Sequence, residues 1–167
     1  TAFKAEGLPA AAEIEARVDE DLRKLENMQN WDGGFPFWQR GYESWPFLSV
    51  HVANALVRAK QKGFAVDAEM LRRSQNYLQN IERYYPWYYS EDVKRTITSY
   101  ALYVRKLMGD KDVARAKGLI KEAGGVSKLS MEAVGWLLGV VAGDASAATE
   151  RKDILRHLDN KAVETAG

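Results

Sequence analysis

The sequence predicts an all-α fold, a partial α/α toroid with helices in alternating inner and outer layers. Three observations carry this. Apolar residues recur three and four apart through about seven segments, each bounded by capping or glycine signals. No stretch alternates with the period of two that a half-buried strand requires. Charge-rich and charge-poor segments also follow one another in turn: nine charged residues lie between Pro9 and Met28 and six between Lys111 and Glu122. None lies between Thr96 and Val104. A helix apolar on most sides must be covered on most sides, whereas a one-sided helix lies outside. Alternating layers suit a toroid or a helical solenoid, and the spacing of about 40 residues between inner helices also suits HEAT-like arrays. An irregular helical domain is the remaining alternative.

The first helix is expected from Pro9 to Met28, with Ile14, Val18, Leu22, Leu25 and Met28 on one face and Pro9 in the first turn. The second spans about Ser44 to Lys62, with a stripe of Leu48, Val52, Ala55, Leu56 and Ala59 and a stop at Gly63. Asp67 caps the third, where Val66 and Leu71 form a hydrophobic staple and Leu71, Ser74, Leu78 and Ile81 the stripe. Ser90 caps the fourth, and Glu91 and Asp92 sit well at its positive end. Its apolar face is Val93, Ile97, Tyr100, Ala101, Val104 and Met108, before Gly109. A fifth runs from Lys111 to Glu122, a sixth from Ser130 to Ala142, and a seventh from Ser146 to Lys161 with Ile154, Leu155 and Leu158 apolar.

The connection between the first two helices is the most distinctive segment. It reads Gln29-Asn30-Trp31-Asp32-Gly33-Gly34-Phe35-Pro36-Phe37-Trp38 and continues to Glu43 through Tyr42. Asp-Gly-Gly demands a tight turn. Trp31, Phe35, Phe37, Trp38 and Tyr42 are too many rings for a solvated loop, so they are expected to fold back and plug one end of the barrel. A second aromatic cluster, Tyr84 to Tyr89, calls for the same reading. An alternative gives the first loop a function: aromatics beside Asp32 and Glu43 could line a sugar cleft, with the two carboxylates as acid and base of a carbohydrate-active enzyme or as part of a binding module. His51, three residues after Leu48, is expected on the apolar face of the second helix as a hydrogen-bonded core or rim residue, with general base as the other role. Arg72, Arg73, Arg95 and Arg105 read as solvated faces and inter-helix pairs.

Composition excludes more than it assigns. The chain carries 24 Lys and Arg against 23 Asp and Glu, a net charge of +1, without the basic excess of a nucleic-acid binder. It has no cysteine, so disulfides, thiolate nucleophiles and zinc–thiolate sites cannot form within it. With two histidines, a multi-histidine metal site is excluded, and no phosphate loop or Ser–His–Asp set is present. No cofactor is expected. The longest strongly apolar run, Val134 to Ala142, is too short to cross a bilayer, so no direct membrane insertion is expected.

Gln29 to Trp38, read as Gln-x-x-Asp-Gly-Gly-Phe-x-x-Trp, together with Glu43 to Val52 and the Ala55-Leu56-x-x-Ala59 that follows, resembles the thioester domain of bacterial α2-macroglobulins. Ser99 to Val104 is similar to a later inner helix of that domain, and Leu129-Ser130-Met131 continues the likeness. The resemblance covers nearly the whole chain in order. It implies part of a protease-trapping inhibitor, not a turnover enzyme, that is secreted, periplasmic or on the cell surface. In such traps a protease cuts a bait region, a buried thioester between the Cys and Gln of a Cys-x-Glu-Gln motif is exposed, and a nucleophile on the protease attacks it. Some bacterial relatives lack the thioester.

By the same resemblance the motif would precede the helix matching Pro9 to Met28, leaving this chain as scaffold around it. Residues 1–167 would then be one incomplete toroid domain, truncated at both ends. Trp31, Asp32, Gly33, Gly34, Phe35, Trp38 and Tyr42 would form the motif and a wall that keeps water from the thioester. Target proteases would be partners through the full-length protein. An open toroid would expose apolar faces, so association with itself or with the remaining part is expected.

Overall fold

The computed structural model describes residues 10–166. Its α-helices are α1 (Ala11–Met28), α2 (Pro46–Gln61), α3 (Ala68–Gln79), α4 (Glu91–Leu107), α5 (Val113–Glu122), α6 (Met131–Val141) and α7 (Ala148–Ala166). Three short 3₁₀ turns, Ile81–Tyr84, Val126–Lys128 and Ala145–Ala147, fill connections that the periodicity did not separate from the helices. Among the described residues there is no strand, only an isolated bridge between Pro36 and Ser44. The fold is all-α as predicted. The expected first-turn role of Pro9 lies outside the described residues, and α7 runs past Lys161 to Ala166.

Local chemistry sets the helix starts. The Asp67 carboxylate accepts from the Met70 N–H at 2.6 Å, Ser90 Oγ from Val93 at 3.3 Å, and Asp112 from Arg115 at 3.0 Å. Each satisfies a first-turn donor that the helix itself leaves open. α2 begins at Pro46, two residues later than Ser44, because proline suits the first turn and Ser44 is engaged in the preceding loop.

The layers follow from which helices touch. α4 packs most extensively on α6 and also on α2, so α2, α4 and α6 lie side by side. α3 covers α2 and α4, α5 covers α4 and α6, and α7 lies on α6. The α4–α6 approach is close: a Cβ on Gly139 would stand 2.8 Å from two ring carbons of Tyr103. Leu102, Leu137 and Val140 are buried together in one cluster of these helices. That cluster joins α4 to α5, α6 and α7, and another joins α2, α3 and α4. A third ties α1 to the rest through Leu22, which meets Phe35, Leu56, Met70 and Leu71.

Two faces differ from expectation. On α2 the buried residues are Ser49, Val50, Ala53, Leu56 and Val57, while Ala55 is exposed and Leu48, Val52 and Ala59 are half-buried. The helix is apolar nearly all round, so its sequence marks no single face, and contacts with α3 and α4 select one. The charged outer helices bury less: Ile14 of α1 and Leu155 of α7 remain exposed. Arg105 at the end of α4 reaches Asp110 at 2.8 Å and Asp112 at 3.3 Å, holding the connection to α5. Its hydrogen bond keeps the Asp110 carboxyl below the ordinary range.

Candidate functional site

The loop from Gln29 to Trp45 is built on a network of short polar side chains. Asn30 and Gly34 close the turn, with the Asn30 N–H donating to the Gly34 carbonyl at 3.0 Å. Asp32 Oδ1 accepts from the Gly34 N–H and from Ser44 Oγ, both at 2.9 Å. The Asn30 amide donates to Ser44 Oγ at 2.9 Å and to the Tyr42 carbonyl at 2.8 Å, and its oxygen accepts from the Gly41 N–H at 2.9 Å. Ser49 Oγ of α2 accepts from the Phe35 N–H at 2.8 Å. These bonds supply the partners that buried loop backbone requires.

Gln29 fastens the loop to α3. It is buried, and its Nε2 donates to the Gly33 carbonyl at 3.1 Å, the Met70 carbonyl at 3.0 Å and Ser74 Oγ at 3.1 Å. The two glycines allow this approach. Gly33 has φ of +89°, and a Cβ there would collide with the Arg73 carbonyl. At Gly34 a Cβ would meet Ser44 Cβ and Tyr77 Cε2, both at 2.6 Å. Tyr77 is buried and stacks on Tyr84 with centroids 4.2 Å apart, and burial pushes its hydroxyl well above the ordinary range.

The rings do not fold back as expected. Phe35 alone of the loop aromatics is buried. Trp31 is 89% exposed and Trp38 79%, and Phe37 and Tyr42 are more than half exposed. The reason is room: Phe35 takes the space between α1, α2 and α3, beside Leu22, Leu56 and Met70. Phe37 instead meets Trp38 edge-on at 4.9 Å. In the second cluster Tyr85 bonds Thr98 at 2.7 Å, yet Trp87 is 92% exposed and Tyr88 is exposed.

The two loops adjoin across a groove of about 400 Å³. Trp31 and Tyr42 form one side, Tyr84 to Pro86 the other, and Asn30, Asp32 and Ser44 line it between them. Glu43 and Arg83 also line it, and among the described residues neither has an ion-pair partner.

The remaining candidates separate. Asp32 Oδ1 is taken up by the loop, and Asp32 and Glu43 line the same groove. His51 is exposed, not on the buried face of α2; its Nδ1 lies 3.3 Å from Tyr100 Oη, which accepts from Asn54 at 2.9 Å. Rings of Phe47, His51, Tyr100 and Trp136 run across α2, α4 and α6, the last two stacked at 4.2 Å. Arg72 pairs with Glu69 and Arg95 with Asp92 within their own helices, and Arg105 pairs with Asp110 and Asp112 of the following loop, so none of these is the expected inter-helix pair. Arg73 does not follow: its Nε is buried without a partner. No group of His, Asp or Glu among the described residues is placed to hold a metal ion. Gln29 and Ser49 are the structural residues that sequence reading passed over, because their partners lie on other elements.

Compared as a sequence, the chain matches no described protein family and no curated protein. Compared as a fold, it is similar to bacterial α2-macroglobulins. Trypsin-activated α2-macroglobulin from Escherichia coli superposes with a TM-score of 0.77 at 21% identity, over 90% of this chain and 11% of that one. The native E. coli protein from domain MG7 to the C-terminus gives 0.74 at 21% identity, over 89% of this chain and 24% of that one. Salmonella α2-macroglobulin reacted with methylamine gives 0.75 at 20% identity, over 92% and 10%. The chain thus spans between a tenth and a quarter of these relatives.

Proposed function

We propose that this chain is the helical scaffold of a thioester domain, one part of a bacterial α2-macroglobulin-like protease trap. The observation that carries the reading is the agreement of fold with those proteins over 90% of the chain. The order of motifs along the sequence supports it independently. In this reading the layers of α2, α4, α6 and of α3, α5, α7 are an arc of an α/α toroid that other residues complete. The Cys and Gln of the thioester lie outside the chain, which has no cysteine of its own. The whole protein acts outside the cytoplasm, where it meets the proteases it holds, and it is an inhibitor and not an enzyme.

The chemistry asked of the scaffold is exclusion of water. A thioester carbonyl survives in an aqueous compartment only while nucleophiles are kept from it. The loop bearing Trp31, Asp32, Gly33, Gly34, Phe35, Trp38 and Tyr42 is the proposed wall: Phe35, the glycines and the Asp32 turn fix the backbone, and the exposed rings are the part free to cover a neighbour. In the full-length protein Trp38→Ala is expected to speed spontaneous thioester hydrolysis about tenfold, read as free thiol appearing in buffer. Unchanged hydrolysis and unchanged methylamine reactivity would remove Trp38 from the wall.

The reading itself is tested by incubating the full-length protein with trypsin. Trapping predicts a protease-containing band that survives boiling in detergent; protease recovered wholly free is the opposing result. The open arc makes a further prediction. Exposed apolar groups at its two ends, Ile14 on α1 and Leu155 and Val163 on α7, are expected to drive concentration-dependent self-association of this chain in sedimentation. A strictly monomeric species at high concentration contradicts that.

A further inference from the structure

We infer that the groove between the two aromatic loops is a binding site for a neutral oligosaccharide, a function separate from protease trapping. A sugar ring offers two kinds of surface: an apolar face of C–H groups and an equator of hydroxyls. The first is met by a flat aromatic ring, the second by fixed carboxylates, guanidinium groups and amides. The groove supplies both. Trp31, 89% exposed, and Tyr42 stand on one side, with Pro86 opposite, offering flat apolar surface at low entropy cost. Glu43 and Arg83 line the same groove as acceptor and donor.

Preorganisation supports a ligand site over a loose loop. Asn30, Asp32 and Ser44, lining the groove between its walls, are bonded to one another and to backbone, so the floor of the groove is set before any ligand arrives. A volume of about 400 Å³ lies in the range of small-molecule pockets. Charge disfavours an acidic sugar: Asp32 and Glu43 outnumber Arg83 in the lining, so a uronate meets net repulsion.

The test is titration of the 167-residue chain with cellotetraose, chitotetraose and maltotetraose, followed by calorimetry and tryptophan fluorescence. Saturable binding of at least one is expected, weakened about tenfold by Trp31→Ala and by Arg83→Gln. Trp87→Ala is the control, since Trp87 is similarly exposed but does not line the groove. The circular dichroism of each variant should match the wild type, because these side chains are exposed. No saturation with any of the three, or equal weakening by Trp31→Ala and Trp87→Ala, overturns the site. So does a dimer that Trp31→Ala dissociates, which would make the groove a protein interface. Trapping is read separately, as detergent-stable protease on the full-length protein, so either reading can fail alone.

Discussion

Gly33→Ala is expected to lower the stability of this chain by about 3–5 kcal/mol, through backbone strain and a steric collision together. For a chain of this size that is a fall in melting temperature on the order of 10 °C. The strain arises because φ at Gly33 is +89°; the collision, because the new methyl would run into the Arg73 carbonyl of α3. Gly41→Ala separates the two causes. Gly41 has φ of +96° with nothing within 4 Å of an added Cβ, so it carries only the strain, about 1–3 kcal/mol. Urea unfolding of both variants checks this; equal losses would mean that the loop does not press on α3.

Gln29→Glu keeps shape and reverses polarity. The side-chain nitrogen faces three oxygens, on Gly33, Met70 and Ser74, and a carboxylate there would bring charge and no donor to a buried site. A loss of about 3–5 kcal/mol is expected at neutral pH. The sign with pH follows. Burial among acceptors favours the protonated acid, so its folded pKa lies above the unfolded one. As pH rises through the carboxylate range the unfolded chain releases its proton first, and stability falls. The deficit relative to wild type is therefore smallest in acid and grows towards neutrality. A deficit independent of pH would show that the Gln29 site admits water.

Legibility in the sequence tracked the range of each interaction. Asp67 and Ser90 were readable as caps because cap and first-turn donor sit three residues apart. The all-α class and the alternation of layers were readable for the same reason, since periodicity and charge are local properties of each helix. Gln29 was quoted as part of a motif, but its role depends on groups 41 and 45 residues away. On α2, apolar residues surround the axis, so the buried face was settled by α3 and α4, and His51 came out exposed. Counting rings in the loop correctly marked it as unusual. It did not indicate that Phe35 alone would fill the space available and leave Trp31 and Trp38 in solvent. Asp32 was legible: an Asp before two glycines usually bonds its own turn, and its Oδ1 accepts from the Gly34 N–H and the Ser44 hydroxyl.

The account rests on these helices being the frame of a thioester that other residues supply, and one measurement reaches that directly. The full-length protein is treated with methylamine and its mass and thiol content are compared before and after. Aminolysis of a thioester breaks the sulfur–acyl bond, forms an amide on the glutamyl carbonyl and leaves the cysteine as a thiol. The account predicts one methylamine incorporated and one thiol released per chain. A protein that takes up no methylamine and exposes no thiol contradicts it.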